Sequence, residues 1–220
     1  MRTVALKFGG SSLASAEQFR KVADIVKSDS SRRYVVASAP GKRMSGDTKV
    51  TDLLYRCCAQ AQAGESFAET LEEIQNRFCD IITGLGVDFD LDSEIAVIRE
   101  HLETNPQSHY MASRGEYLNS KILAAYLGFT FVDPADYICF SAEGVYDAVT
   151  TEEKLSQALR PLEYAVVAGF YGALPDGTIH TFSRGGSVLL FGHKFQNFLV
   201  IYGTGLFLGA AIFGVKSKIF

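Results

Sequence analysis

Cysteine, proline and tryptophan are scarce in this sequence of 220 residues, which contains four cysteines, five prolines and no tryptophan. No CxxC pair and no Cys/His spacing typical of a metal site occurs, so we interpret the cysteines as free thiols and expect neither a disulfide scaffold nor a zinc site. An excess of basic residues is absent as well, because the net charge is −4. Nucleic acid is therefore not an expected partner.

The first ten residues, MRTVALKFGG, lack the long apolar core of a signal peptide, which predicts a cytoplasmic protein. The composition is ordinary for a globular protein, with 47% hydrophobic and 21% charged residues. A chain of this length can bury a sizeable core in one large domain or two small ones.

The N-terminal pattern predicts a strand, a helix and a second strand. Thr3–Phe8 is apolar and is followed by Gly9 and Gly10, which indicates a buried strand that ends in a turn. Ser15, three residues before a glutamine, predicts a helix that starts directly after it. Tyr34–Ala39 predicts the next strand. This βαβ unit predicts an α/β fold with a mainly parallel sheet flanked by helices.

The rest of the chain divides into two parts. Residues 65–103 are acidic, amphipathic and helical, which predicts a helical excursion between strands rather than a separate domain. A further helix is predicted to be capped by Ser113 and to end at Gly128, before strand character resumes. From residue 188 the sequence has no acidic residue and no clear alternation of strands and helices. We therefore predict a folded lobe over 1–187 and a divergent apolar tail over 188–220.

Lys7 and the glycines after it form a candidate phosphate site. Glycines after a strand let backbone N–H groups approach phosphate oxygens, and a nearby lysine neutralises charge on a phosphoryl group. The alternative is a tight turn with a solvated lysine. The P-loop pattern GxxxxGK[ST] is absent, because Gly41 and Lys42 are followed by Arg43.

Five segments resemble the aspartate kinases of the amino-acid kinase family and occur in the same order: KFGGSS, VVASAPGKRMSGDTKVTDLL, SRGEYLNSKILAAYL, VVAGFYG and TFSRGGS. The resemblance covers residues 3–187. It implies an amino-acid kinase-like fold and ATP-dependent phosphorylation of the L-aspartate side-chain carboxylate to 4-phospho-L-aspartate, the entry to lysine, threonine and methionine synthesis. It also implies Mg²⁺ bridging the nucleotide oxygens, and a homo-oligomer in the full-length family.

The resemblance implies roles for individual residues but no metal ligand. Lys7 is the implied catalytic residue, which stabilises the phosphoryl group in flight. The implied ATP and phosphate contacts come from Lys7, Phe8, Gly9, Gly10 and Ser11. The implied aspartate pocket is formed by Ser38, Thr51, Glu116, Phe170, Arg184, Gly185 and Ser187. An acceptor with two carboxylates and one ammonium suits an arginine together with an opposing carboxylate.

Three of these residues could equally have ordinary structural roles. Glu116 lies three residues after Ser113 and completes a capping-box pattern whether or not it binds a ligand. Thr51 can cap the helix that follows it. Arg184 stands in a glycine-rich segment and can simply be solvated.

The sequence departs from the family after Ser187, where the family continues with an aspartate that orients the substrate amine and the catalytic lysine. Here that position is Val188. The second, nucleotide-binding half of the kinase domain is also not found. We therefore expect no measurable kinase activity from this chain. One alternative function is an inactive fragment that at most binds aspartate or a partner chain, and another is a membrane-tethered interaction protein that uses the apolar tail.

Three hypotheses address the tail. Deleting one base from GAT ATT ACT, codons for the family's Asp-Ile-Thr, gives the Val-Leu-Leu of residues 188–190 and suggests a frame change. Phe198–Val215 carries no charge and has GxxxG spacing, which would fit a membrane helix, although membrane association is not the main expectation. A dinucleotide turn fits the glycine spacing poorly. We also expect the tail to cover the exposed edge of the sheet only imperfectly.

Overall fold

The computed structural model of this chain describes residues 3–182 and 198–203. Its main sheet has five strands in the order β3-β4-β2-β1-β7, and every neighbouring pair is parallel. The strands are β1 (Thr3–Phe8), β2 (Arg32–Ala37), β3 (Thr130–Val132), β4 (Ala165–Ala168) and β7 (Phe198–Gly203). A separate antiparallel hairpin joins β5 (Tyr171–Ala173) to β6 (Ile179–Thr181).

In the described ranges, six α-helices connect these strands: α1 (Ala16–Lys27), α2 (Val50–Gln62), α3 (Ala68–Leu85), α4 (Leu91–Thr104), α5 (Ser108–Leu127) and α6 (Ala148–Leu159). Two short 3₁₀ helices cover Gly10–Leu13 and Pro134–Asp136. Helices α2 to α5 all lie between β2 and β3 in the chain, which confirms the predicted helical excursion. The predicted α/β fold with a parallel sheet flanked by helices is confirmed.

The start of α1 follows the sequence closely. The Ser15 hydroxyl oxygen accepts a hydrogen bond from the backbone N–H of Gln18 at 3.4 Å, and this satisfies one of the free donors of the first turn. Apolar residues at helical spacing then face the core. The strand that follows begins at Arg32 and ends at Ala37, so it lies about two residues earlier than predicted.

Two helix starts differ from their expected positions. Helix α5 begins at Ser108, so Ser113 lies inside the helix, where its hydroxyl donates to the backbone oxygen of Tyr110 at 2.6 Å. The capping-box interpretation of Glu116 is therefore wrong. Helix α2 begins at Val50 without a side-chain cap, so the capping role for Thr51 is wrong as well. The predicted end of α5 at Gly128 is confirmed, since this glycine adopts φ of +75°.

The sheet separates two hydrophobic clusters, because alternate residues of a strand face opposite sides. In β1, Leu6 faces the cluster packed under α1 to α5, whereas Ala5 faces the smaller cluster beneath α6. The larger cluster contains buried residues from all five of those helices. Burial on both sides explains why β1 and β2 read as almost continuous apolar runs.

Strand β7 corrects the expectation that the tail covers the edge of the sheet only imperfectly. Residues 198–203 pair with β1 along its whole length, from Thr3 opposite Phe198 to Phe8 opposite Gly203. This edge of β1 is therefore covered in register, and Phe198 starts a strand rather than a membrane helix. Within the described ranges, no helix is long and apolar enough to cross a membrane. The division between 1–187 and 188–220 stays a prediction, although six residues of the tail belong to the same sheet.

Candidate functional site

The ends of three parallel strands meet at one edge of the sheet. The backbone N–H of Ser38, after β2, donates to the oxygen of Phe8 at 3.2 Å, and the N–H of Gly169, after β4, donates to the oxygen of Ala37 at 3.3 Å. The strand order changes direction at β1, because β2 lies on one side of it and β7 on the other. A crevice at the carboxyl ends of strands beside such a reversal is the usual ligand site in open α/β sheets.

Lys7 and Ser38 meet at this edge of the sheet. The Lys7 ammonium donates to the Ser38 hydroxyl at 3.3 Å, and both residues are half-buried. They come from the ends of neighbouring strands, so the parallel pairing of β1 with β2 brings them together. The structure thus places the predicted catalytic lysine beside a predicted substrate residue.

Glu116 approaches the same place from α5. Its side chain is buried, and this burial raises the pKa of the carboxyl group to about 8. The nearby Lys7 charge and a hydrogen bond from the backbone of Ala39 act in the opposite direction, toward a lower pKa. At neutral pH the ligand-free site therefore holds a largely protonated carboxyl group close to an ammonium group.

Several buried acceptors around Glu116 lack hydrogen-bond partners among the described residues. They are Glu116 Oε2, Asn119 Oδ1 and Ser120 Oγ, all from neighbouring turns of α5. Asn119 uses its amide nitrogen to hold the backbone oxygen of Ser38 at 2.6 Å. Buried polar atoms are normally paired, so this group of acceptors has the character of a site that a ligand or water completes.

Gly10 lies in the turn after β1, in close backbone contact with Gly41. The backbone N–H of Gly41 donates to the oxygen of Gly10 at 2.8 Å. A Cβ atom on Gly10 would lie only 2.7 Å from the oxygen of Ala39, so a larger residue does not fit without movement. The Phe8 side chain is buried in the core, which leaves only its backbone for ligand contacts. Ser11 is exposed.

Phe170 has a strained backbone at the end of β4. Its φ of +72° is unusual for a bulky residue. Two hydrogen bonds hold this conformation: Tyr171 donates to the oxygen of Gly169 at 3.0 Å, and Phe182 donates to the oxygen of Phe170 at 2.8 Å. Strain of this kind often accompanies functional sites, which agrees with the predicted place of Phe170 in the pocket wall.

The remaining predicted residues have different outcomes. Thr51 is half-buried in the first turn of α2, directly after Val50, whose N–H donates to the oxygen of Pro40 at 3.2 Å. Arg184, Gly185 and Ser187 lie outside the described residues, so their roles stay predictions. Sequence reasoning did not find Asn119. The available signal was its position three residues after Glu116, on the same face of the helix.

The described residues offer no protein cage for a metal ion. Among residues 3–182 and 198–203, no group of three or more histidine, cysteine or acidic side chains could hold one. Magnesium that accompanies a nucleotide is usually held by phosphate oxygens and one or two carboxylates.

Comparisons with known proteins agree on one family. A model of the amino acid kinase family matches residues 2–191. Aspartokinase 3 of Bacillus subtilis is 36% identical over 196 residues, which cover 83% of this chain and 43% of that protein. The crystal structure of an aspartate kinase from Clostridium acetobutylicum matches with a TM-score of 0.83 and 43% identity, over 85% of this chain and 43% of that chain.

A structure of E. coli aspartokinase III in complex with aspartate and ADP matches with a TM-score of 0.69 and 25% identity, over 84% of this chain and 44% of that chain. This chain thus spans less than half the length of these relatives. The resemblance to aspartate kinases seen in the sequence is confirmed for the N-terminal portion of those proteins.

Proposed function

Because the chain belongs to the amino acid kinase family, we propose that it forms the aspartate-binding lobe of an aspartate kinase. The proposed reaction transfers the γ-phosphoryl group of ATP to the side-chain carboxylate of L-aspartate and gives 4-phospho-L-aspartate. The observation that carries this proposal is the meeting of Lys7, Ser38 and the buried Glu116 at the ends of the parallel strands.

Each group has a proposed task that its chemistry supports. Glu116, which has an unpaired oxygen, accepts hydrogen bonds from the substrate ammonium. Ser38 and Thr51 line the pocket, Phe170 shapes its wall, and Arg184 binds a substrate carboxylate. The roles of Arg184, Gly185 and Ser187 in the pocket are proposed from the motif resemblance alone.

Lys7 has the proposed catalytic role. Its ammonium lies at the ends of the parallel strands, beside Ser38, and can neutralise charge on the phosphoryl group during transfer. Backbone groups of Phe8, Gly9, Gly10 and Ser11 would approach the ATP phosphates. The ADP in the E. coli aspartokinase III complex supports ATP as the phosphoryl donor. Magnesium is proposed to accompany the nucleotide, held by its phosphate oxygens.

The wider setting is proposed from the same resemblance. The product would enter lysine, threonine and methionine synthesis, the protein would act in the cytoplasm, and the full-length enzyme would be a homo-oligomer. The relatives named aspartokinase in Bacillus subtilis and E. coli support the assignment to this reaction.

Calorimetry with the purified chain tests the substrate. We expect L-aspartate to bind and succinate, which lacks the ammonium group, to bind far more weakly. Glu116→Ala and Arg184→Ala should each weaken aspartate binding by about 2–5 kcal/mol, because each leaves a charge without its partner. Unchanged affinity in both variants would contradict the assignment.

Aspartate binding without turnover is a second candidate, favoured by Val188. This residue stands where the family has an aspartate and cannot accept a hydrogen bond or carry charge. A coupled assay of ADP release, with and without L-aspartate, separates the two candidates. Aspartate-dependent ADP release favours the kinase, whereas binding without release favours the second candidate. Lys7→Met is the control, since it should abolish release but not binding.

A further inference from the structure

We propose that Arg77 of α3 is a positioning residue that fixes the loop of residues 41–48, which leads from the glycine turn to α2. Arg77 is only 3% exposed, and it lies on the core-facing side of α3 beside Ile74, Phe78 and Ile81. A buried guanidinium among apolar side chains is unfavourable unless its hydrogen bonds are made. The hydrogen bonds of its two terminal nitrogens go to this loop, and Nε has no partner among the described residues.

One guanidinium group holds both ends of loop 41–48. Nη2 of Arg77 donates to the backbone oxygen of Gly41 at 2.7 Å, and Nη1 donates to the backbone oxygen of Thr48 at 2.9 Å. Nη1 also approaches the Asp47 carboxylate at 3.2 Å. The planar fork of arginine can bind separate acceptors in fixed directions, whereas the single ammonium of lysine does not reproduce this geometry.

Both ends of the loop belong to the candidate site. Gly41 donates to Gly10 at 2.8 Å, and a Cβ atom on Gly41 would lie 2.7 Å from the carbonyl carbon of Gly10, so the two backbones are in direct contact. Thr48 lies at the other end, three residues before Thr51 in the first turn of α2. Arg77 thus sets the spacing between the proposed phosphate turn and one wall of the proposed substrate pocket.

The middle of the loop has few such restraints. Residues 42–46 are exposed, and Gly46 has φ of +90° with no neighbouring atom near the position of a Cβ. Arg43 also contacts Asp47, at 3.0 Å, but from the exposed side of the loop. Arg43 and Arg77 therefore share one acidic partner, while only Arg77 reaches the two loop ends. This makes Arg43 a matched control.

The experiment combines hydrogen exchange with aspartate binding in the 220-residue chain, using Arg77→Lys, Arg77→Met and Arg43→Gln. The inference rests on the proposed function only for the identity of the ligand. In Arg77→Lys we expect the amides of loop 41–48 to exchange about tenfold faster while those of β1 and β2 keep their protection. Aspartate affinity should fall about tenfold, the equivalent of roughly one net hydrogen bond. Arg43→Gln should change neither value by more than about twofold.

Three results separate the possible failures. Unchanged loop exchange in a folded Arg77→Lys or Arg77→Met variant would overturn the inference. A wild-type chain that does not bind aspartate would instead contradict the proposed function. The exchange result would still test whether Arg77 fixes loop 41–48. If both Arg77 variants fail to fold, the wild type decides: the terminal guanidinium protons of the buried Arg77 should exchange with water far more slowly than those of the exposed Arg43, and equal rates would overturn the proposal.

Discussion

The site at the strand ends and loop 41–48, which Arg77 anchors, each contain one buried ionisable side chain, but the hydrogen bonding of the two side chains differs. Glu116 has one carboxylate oxygen without a partner in the described part of the chain, and burial raises its pKa to about 8. Arg77 donates to two backbone oxygens and faces Asp47. A hydrogen bond from Arg43 holds the pKa of Asp47 at about 2, and the Arg77 charge acts in the same direction.

This difference separates a structural role from a binding role. Arg77 leaves Nε without a partner in the described part of the chain, but both of its terminal nitrogens are paired. A buried charge that is paired in this way stabilises one arrangement of the chain, and removing one partner is costly. A buried acid with an unused oxygen beside a lysine lowers the stability of the free protein and gains from a cationic ligand. The two regions should therefore respond differently to pH and to the loss of a partner.

The largest expected effect is a loss of stability with rising pH caused by Glu116. Its pKa is raised in the folded state, so the folded protein binds more protons than the unfolded chain between about pH 4.5 and 8. The contribution of Glu116 to the free energy of unfolding should therefore be greatest below about pH 4.5 and fall by about 3–5 kcal/mol as the pH rises to 8. Urea unfolding at several pH values measures this.

Glu116→Gln should remove most of this pH dependence, because the amide does not ionise. Glu100→Gln is the control, since Glu100 is exposed on α4 and should leave the profile unchanged. If wild type and Glu116→Gln show the same profile, the carboxyl group is not buried as described.

Removing the carboxylate that faces Arg77 should lower the stability of the protein. Asp47→Asn leaves the buried Arg77 without a carboxylate, and we expect the free energy of unfolding to fall by about 3 kcal/mol. Asp80→Asn is the matched control: Asp80 also contacts Arg43, but its side chain is 72% exposed, so the loss should be below about 0.5 kcal/mol. Similar losses in the two variants would show that the depth of burial does not matter here.

The lowered pKa of Asp47 predicts the pH range in which this residue stabilises the folded protein. Because it is lowered in the folded state, the contribution of Asp47 should be complete above about pH 4 and be lost as the pH falls toward 2. Unfolding of wild type and Asp47→Asn at pH 3 and pH 6 measures it, and the difference between the two proteins should be smaller at pH 3.

Ligand binding should connect the raised pKa of Glu116 with its unpaired carboxylate oxygen. A substrate ammonium favours the ionised carboxyl group, so aspartate binding should release a proton below about pH 8. The affinity should then rise by up to about tenfold per pH unit below that value. Calorimetry in buffers of different ionisation enthalpy measures the released proton, and its absence would remove Glu116 from the ammonium contact.

The smallest effect concerns Phe170. At φ of +72° we expect the glycine variant to be more stable than the alanine variant by about 1 kcal/mol, because glycine adopts this conformation without strain. Ala96, exposed in α4, gives the control, where Ala96→Gly should lower stability by about 1 kcal/mol. Thermal unfolding of all three variants is sufficient. If the alanine variant at position 170 proves more stable than the glycine variant, the backbone at this position relaxes to a negative φ.

Elements with local signals could be predicted from the sequence. The apolar run and glycines defined β1, and Ser15 defined the start of α1 because both signals act within a few residues. The start of α5 was missed because Ser113 and Glu116 match a capping box by spacing alone, although the helix begins five residues earlier. Strand β7 was missed because its apolar run cannot be told from a helix without its partner.

The candidate site was predicted only in part, because its contacts join distant segments. The motif resemblance found Lys7 and Glu116, but no local pattern links Ser38 to Asn119, which lies 81 residues later. Arg77 was missed for a related reason. The sequence pattern of α3 does not show whether a charged residue within its apolar stripe is buried or exposed. The hydrogen-bond partners of Arg77 in loop 41–48 are known only from the packed structure.

The pairing of β1 with β7 has a consequence for the order of folding. The first strand of the chain is paired on one side by Arg32–Ala37 and on the other by Phe198–Gly203. During synthesis the first partner is available early, whereas the second emerges from the ribosome only after the helices and the hairpin. Until then one edge of β1 is open, and contacts of such long sequence separation slow folding. Nascent chains of this protein should therefore depend on chaperones that shield an exposed strand edge.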